Sequence, residues 1–314
     1  VVKPQFVNYI YFQKNLIRIV SEDGKKFGII NRKGELIIPV EYDAISDDYR
    51  AGYYLVCIKN GKKGVVDADG KLIIPAKFND IRLLDDNYFV CEIDKKHQAV
   101  YSKTGEYINE VKAEYINIQS ECIVFKTNDR YGFYHYKTNY FSPPKFSSVN
   151  GFYNDTGIAY VGGAACHIDT KGNYITHPRF NHVEIFSEGL SVVRSGGTYG
   201  FMNNKGDLIT PVMYEHAQRF SEGLALVKLK GKYGFIDTAG KAVIDFIYSE
   251  AGPFGDGLAA VKVGNYWGFI NQQGEMVIEP QFDSVTQPFA GGRTYVVKNN
   301  RMFIINPKGK EVSR

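Results

Sequence analysis

His182, His216 and Glu250 each stand ten residues after a glycine, Gly172, Gly206 and Gly240, in three consecutive stretches of the chain. Imidazole and carboxylate are metal-ligand chemistry, and histidine titrates near neutrality. The equivalent place elsewhere holds Ala44, Asp80 and Ser284, which a functional ligand set would not tolerate. Zinc ligands must all lie about 2.0–2.2 Å from the ion, closer than equivalent residues of stacked units come. The three therefore read as a polar ladder on a solvated edge, and no metal is expected.

Glu188, Glu222 and Asp256 form a second ladder, each preceding a glycine in "FSEGL" or "FGDGL". Hydrolytic chemistry needs two carboxylates at a defined separation, whereas one acid per stretch suits a turn. "GPFGDG" at 252–257 lacks the strand–glycine–helix context of a phosphate loop. No Ser-His-Asp or Cys-His set can be nominated, so a non-enzymatic chain without cofactor is expected. A third cluster lies in "RYGFYHYKTNYFSPPKF" at 130–146, where Tyr134, His135, Tyr136, Tyr140 and Phe141 exceed what the local pattern needs. Tyrosine offers a large rigid contact surface with a polar end. Those five residues are the expected contact region for a partner, the alternative being local repacking of the core.

What must position these residues is a repeat. The second residue of each "YG"-like pair falls at Gly28, Gly64, Gln98, Gly132, Cys166, Gly200, Gly234, Gly268 and Phe303, with most steps equal to 34. A turn glycine follows at Gly34, Gly70, Gly105, Gly172, Gly206, Gly240, Gly274 and Gly309. Such a period marks a tandem array rather than two domains. The expectation is one array over 1–314, in units of roughly 1–38, 39–74, 75–109, 110–143, 144–176, 177–210, 211–244, 245–278 and 279–314.

With 23 Tyr, 21 Phe and 32 Gly, composition favours pleated surfaces and tight turns. Within a unit, "GLALVKLKGKYGFIDTAGKAVI" reads as three short antiparallel strands, followed by one helical turn in a linker such as "YEHAQRF". In "LALVKL", Leu224 and Leu226 point to one face and Ala225, Val227 and Leu229 to the other, so the strand is covered on both sides. A three-stranded sheet is too small to stand alone, so neighbours must pack. Gly in the middle strand marks close approach, and the expected neighbour over Gly234 is an aromatic of the next unit. The fold class is all-β, nine three-stranded units, with an open solenoid or superhelix favoured over a closed propeller.

A net charge of +4 with both signs interleaved gives no field to steer nucleic acid, and no apolar run spans a membrane. Cys57, Cys91, Cys122 and Cys166 show no zinc spacing and read as buried free thiols.

The stretch "YWGFINQQGEMVIEPQFDSV" at 266–285 resembles the unit of the bacterial WG-repeat family, with its aromatic-Gly pair, "F-I-D", "G-K-x-V-I-x-P" and "F-x-E-G-L". The literal tryptophan survives at Trp267, with Phe27, Tyr131, Tyr199 and Tyr233 in its place elsewhere. The resemblance implies a non-enzymatic β-repeat module that binds protein partners in a bacterial envelope or surface assembly, exported from the cytoplasm. The alternative is a carbohydrate-binding or carbohydrate-processing envelope protein that uses the aromatics at 130–146 as platforms for sugar rings.

Overall fold

The computed structural model describes residues 9–11, 16–46, 55–67, 71–84 and 87–312. Every described element is a β-strand, and none of them is a helix long and apolar enough to cross a membrane. Two compact units divide the chain, Val1–Phe152 and Tyr153–Arg314. The first holds four four-stranded antiparallel sheets in chain order, built from strands β1 (Tyr9–Tyr11) to β16 (Tyr140–Phe146), and then β17 (Ser148–Tyr153). The second opens with the hairpin of β18 (Thr156–Val161) and β19 (Ala164–Ile168). Four further four-stranded sheets follow, from β20 (His182–Val183) to β35 (Glu311–Val312).

The extra strand per sheet corrects the expectation of three strands and a helical linker. In the sheet of β24 (His216–Ala217), β25 (Leu224–Leu229), β26 (Lys232–Asp237) and β27 (Ala242–Tyr248), the linker itself is extended: His216 pairs with Lys228 and Ala217 with Val227. Two residues suffice because the alternation is already a strand's, Ala217 buried and His216 half-buried. Four strands per sheet are also the usual number in a propeller blade, which three-stranded units would not have matched.

The central strands are covered on both faces, as "LALVKL" requires. Ala225, Val227 and Ile236 pack with Leu190, Val192 and Phe201 of the preceding sheet. Leu224, Leu226 and Phe235 pack with Ala259, Val261 and Ile270 of the following one. One sheet thus contributes to two cores, and burying a side chain such as Phe235 contributes about 1.5–3 kcal/mol. An aromatic relay runs through the same cores: Phe201 meets Phe220 edge-on at 5.0 Å, Phe235 meets Phe254 at 4.8 Å and Phe269 meets Phe289 at 5.0 Å.

The middle-strand glycine is crowded by an aromatic, as its position implied, and by backbone as well. The expected aromatic is there: a Cβ on Gly234 would meet Phe246 Cδ1, from the unit 245–278, at 2.9 Å, but the Ile244 carbonyl oxygen comes nearer still, at 2.7 Å, and both belong to β27, the outer strand of the same sheet. Between the pairs Tyr233↔Tyr248 and Phe235↔Ile244 the register slips, so β27 bulges across the glycine. Gly268 faces the Ile278 oxygen at 2.6 Å in the same way. In the latter sheet the bulge holds Pro280, which has no N–H to give a ladder.

Cys91, Cys122 and Cys166 are buried thiols outside any disulfide, and burial pushes Cys91 and Cys122 up to about 12. The side chain of Cys57 lies outside the described residues.

Candidate functional site

Three of the five residues of the aromatic cluster, Tyr134, His135 and Tyr136, are buried and present no contact surface. Tyr134 and His135 end β15 (Arg130–His135), a middle strand, and with Tyr136 they are buried. Tyr134 and Tyr136 pack with Val90, Val100 and Val111. The Tyr134 hydroxyl donates to Asn139 Oδ1 at 2.8 Å, and the Tyr136 hydroxyl donates to the Gln119 carbonyl at 2.9 Å. His135 Nδ1 lies 3.0 Å from Thr138 Oγ1. Burial pushes the Tyr134 phenol up to about 12 and Tyr136 higher still. Tyr140 is half-buried, and Phe141, 43% exposed, stacks on Phe125 at 4.7 Å. The reason is geometric: alternation in a middle strand sends successive side chains to opposite faces, and both faces here are covered.

The polar ladder lies along or just before the first strands of three successive sheets, with His182 and Glu250 exposed and His216 half-buried. His182 and His216 open the first strands of their sheets, opposite Arg194 and Lys228, and Glu250 stands just before β28 (Ala251–Gly255), its carboxylate 2.6 Å from Lys262 Nζ. The His216 ring lies between Tyr199 at 6.2 Å and Tyr233 at 6.0 Å, while His182 Nδ1 faces the Tyr160 hydroxyl at 3.4 Å. Each member thus has its own partners. Among the described residues no group of three or more His, Cys, Asp or Glu is placed to hold a metal.

Beside this edge runs a row that sequence reading missed. Arg194 lies over Tyr199 at 5.5 Å, Lys228 over Tyr233 at 5.3 Å and Lys262 over Trp267 at 5.9 Å. They are cross-strand pairs, and the signal was there to read: a cation five residues before each signature aromatic.

The acidic ladder is structural and reaches further than its turns. Glu188, Glu222 and Asp256 have φ of 51°, 56° and 48°, each followed by a glycine with positive φ, the backbone of a hairpin turn. Their carboxylates accept the backbone N–H of Gly223 at 2.9 Å, Gly257 at 2.9 Å and Gly292 at 2.6 Å, each in the next sheet's turn. Ser187 and Ser221 donate in parallel to the carbonyls of Phe220 and Phe254 at 2.9 and 3.1 Å.

These locked turns frame a cleft of about 650 Å³ lined by the first strands and turns of four successive sheets. Glu184, Gln218, Arg219, Pro253 and Pro288 are among its walls. Arg219 Nε lies 3.6 Å from Glu184 Oε2, with half of the guanidinium side chain exposed. Behind the wall, the Glu184 carbonyl accepts from His167 Nε2 at 2.8 Å and from the Ser191 hydroxyl at 2.6 Å. His167 stands where other units place the middle-strand Phe, stacks on Phe186 at 4.2 Å, and is held by burial below the usual imidazole range.

Comparison with solved structures finds low likeness. A eukaryotic initiation factor is 12% identical, over 91% of this chain and 90% of that one, with a TM-score of 0.42. Hsv2 from Kluyveromyces lactis is 14% identical, over 60% and 70%, with a TM-score of 0.36. BamB from Moraxella catarrhalis is 11% identical, over 98% and 94%, with a TM-score of 0.28. Curated proteins offer no sequence match. A model of the WG containing repeat matches residues 27–62, 64–96, 168–199, 199–233, 233–267 and 267–301, more than half of the chain. The pairs Tyr199-Gly200, Tyr233-Gly234 and Trp267-Gly268, on the cation-covered middle strands, fall within it, and by that match the chain belongs to the WG-containing repeat family.

Proposed function

We propose that this chain is a non-enzymatic scaffold that binds a protein partner in an exported bacterial envelope assembly. One observation carries the reading: the edge strands β23 (Leu208–Tyr214), β27 and β31 (Met276–Phe282) expose apolar side chains in succession. Leu208, Met213, Val243, Ile247 and Val277 are all exposed, Ile247 by 62%. Contiguous exposed apolar surface marks interaction sites, and an open sheet edge accepts a partner's strand. Pro211 and Pro280 blunt two of these edges, whereas β27 carries Asp245 and Phe246 at the equivalent places and keeps its full set of backbone donors. An open array remains our proposal for the nine repeat units, on unit number alone, since propeller rings commonly hold about four to eight blades.

The test is purification from the host envelope in mild detergent, followed by mass spectrometry. A stoichiometric protein partner is expected, lost when Met213→Glu and Ile247→Glu are combined. Recovery of the protein alone, or a partner indifferent to both changes, contradicts the reading. A second reading, glycan binding, is favoured by the polar cleft between the locked turns.

A further inference from the structure

We propose that the cleft at Glu184 and Arg219 is a subsite for an uncharged oligosaccharide, an inference that rests on the second reading above. Its volume, about 650 Å³, falls within the roughly 300–1,000 Å³ usual for ligand clefts. The charge balance selects the ligand class. The lining holds one acid and one guanidinium, Glu184 and Arg219, already paired at 3.6 Å. An anionic ligand meets the Glu184 carboxylate beside the guanidinium, and a cationic ligand meets the guanidinium beside the carboxylate, so either is opposed by a like charge close by. A hydroxyl meets no such opposition, because it donates to the carboxylate and accepts from the guanidinium at once. Gln218, beside them, adds an amide with both functions.

The repeat supplies an internal control. Successive sheets place Phe186, Phe220, Phe254 and Phe289 at one framework position. Immediately before it the residues change, Glu184–Ile185, Gln218–Arg219 and Gly252–Pro253. Packing and turn formation tolerate all of these equally, so the framework does not dictate Glu, Gln and Arg there. The pieces are also fixed in advance: His167 and Ser191 hold the Glu184 carbonyl, and the Ser187 and Ser221 hydroxyls are spent on neighbouring turns. Rigid walls lower the ordering cost of binding. Pro253 and Pro288 present stiff apolar surface suited to the C–H face of a sugar ring.

Isothermal titration of the full chain with maltohexaose, cellohexaose and N-acetylated chitohexaose tests the proposal, with polygalacturonate and a proline-rich peptide alongside. One of the neutral oligosaccharides should bind saturably. Arg219→Met and Glu184→Gln, each checked for an unchanged melting temperature, should weaken it about tenfold, the loss of one charge-assisted hydrogen bond. No neutral binding up to about 10 mM, a limit of very weak affinity, overturns the proposal, as does binding indifferent to both variants. Preference for polygalacturonate overturns the neutral class while leaving glycan recognition standing. Preference for the peptide overturns both.

Discussion

The carboxylate of Glu222 accepts a hydrogen bond at 2.9 Å from the backbone N–H of Gly257, a turn residue of the next sheet. Glu188 does the same to Gly223 and Asp256 to Gly292, so successive sheets are tied turn to turn as well as core to core. Glu222→Ala should cost about 0.5–1.5 kcal/mol, the worth of one such bond, measured by chemical denaturation. Glu222→Gly loses the same acceptor but relieves the positive φ of 56°, and should cost less than alanine. Equal stability of all three proteins would show that the bond contributes nothing.

Gly234 lies under its own outer strand, with the Ile244 carbonyl 2.7 Å from where a Cβ would be. Backbone cannot move aside as a side-chain tip can. Gly234→Val should therefore destabilise by about 1–3 kcal/mol, and Gly234→Ala by a smaller amount in the same direction. A thermal melt unchanged in the valine variant would mean that the bulge readily widens.

Tyr136 is a core residue whose hydroxyl donates to the Gln119 carbonyl. Tyr136→Phe should lose about 1 kcal/mol by leaving that buried acceptor unpaired, and Tyr134→Ala about 3–5 kcal/mol by opening a cavity. Both losses belong to stability. Partner capture that fell while the melting temperature held would restore the surface reading of these residues.

His167 is buried beside Phe186 with its pKa lowered, first by burial. The unfolded chain binds the proton more readily than the fold does, so the fold loses stability as pH falls through the ordinary imidazole value near 6.5. That loss continues until the lowered folded value is reached, and the full contribution is present above about 6.5. His167→Phe restores the side chain found at Phe201, Phe235 and Phe269 and removes the titration. Its melting temperature should vary less between pH 7.5 and 5.5 than that of the parent, and an unchanged slope would assign the pH dependence to other groups.

Much of this was legible in the letters because a repeat states its own rules several times. The period, the turn glycines and the two-faced apolar strand Leu224–Leu229 led directly to the packing of each sheet between its neighbours. The fourth strand was hidden because two residues, His216 and Ala217, are too few for a periodicity. The bulge across Gly234 was hidden because a register slip has no sequence period. Tyr134 and Tyr136 misled for a physical reason: surplus aromatics look alike on a surface and in a core, and which they join depends on the cover supplied by Val90 and Val111, remote in sequence. The cleft was illegible for a related cause. Glu184 and Arg219 belong to different units, and only folding puts them 3.6 Å apart.

The measurement that bears most directly on the scaffold is photo-crosslinking from position 247, the most exposed of the edge apolar residues at 62%, in the native host. One protein should be captured from this position in near-stoichiometric yield, and capture should disappear when Met213→Glu is added on the neighbouring edge strand. Crosslinks to no protein, or to a scatter of abundant proteins unaffected by Met213→Glu, would contradict the account.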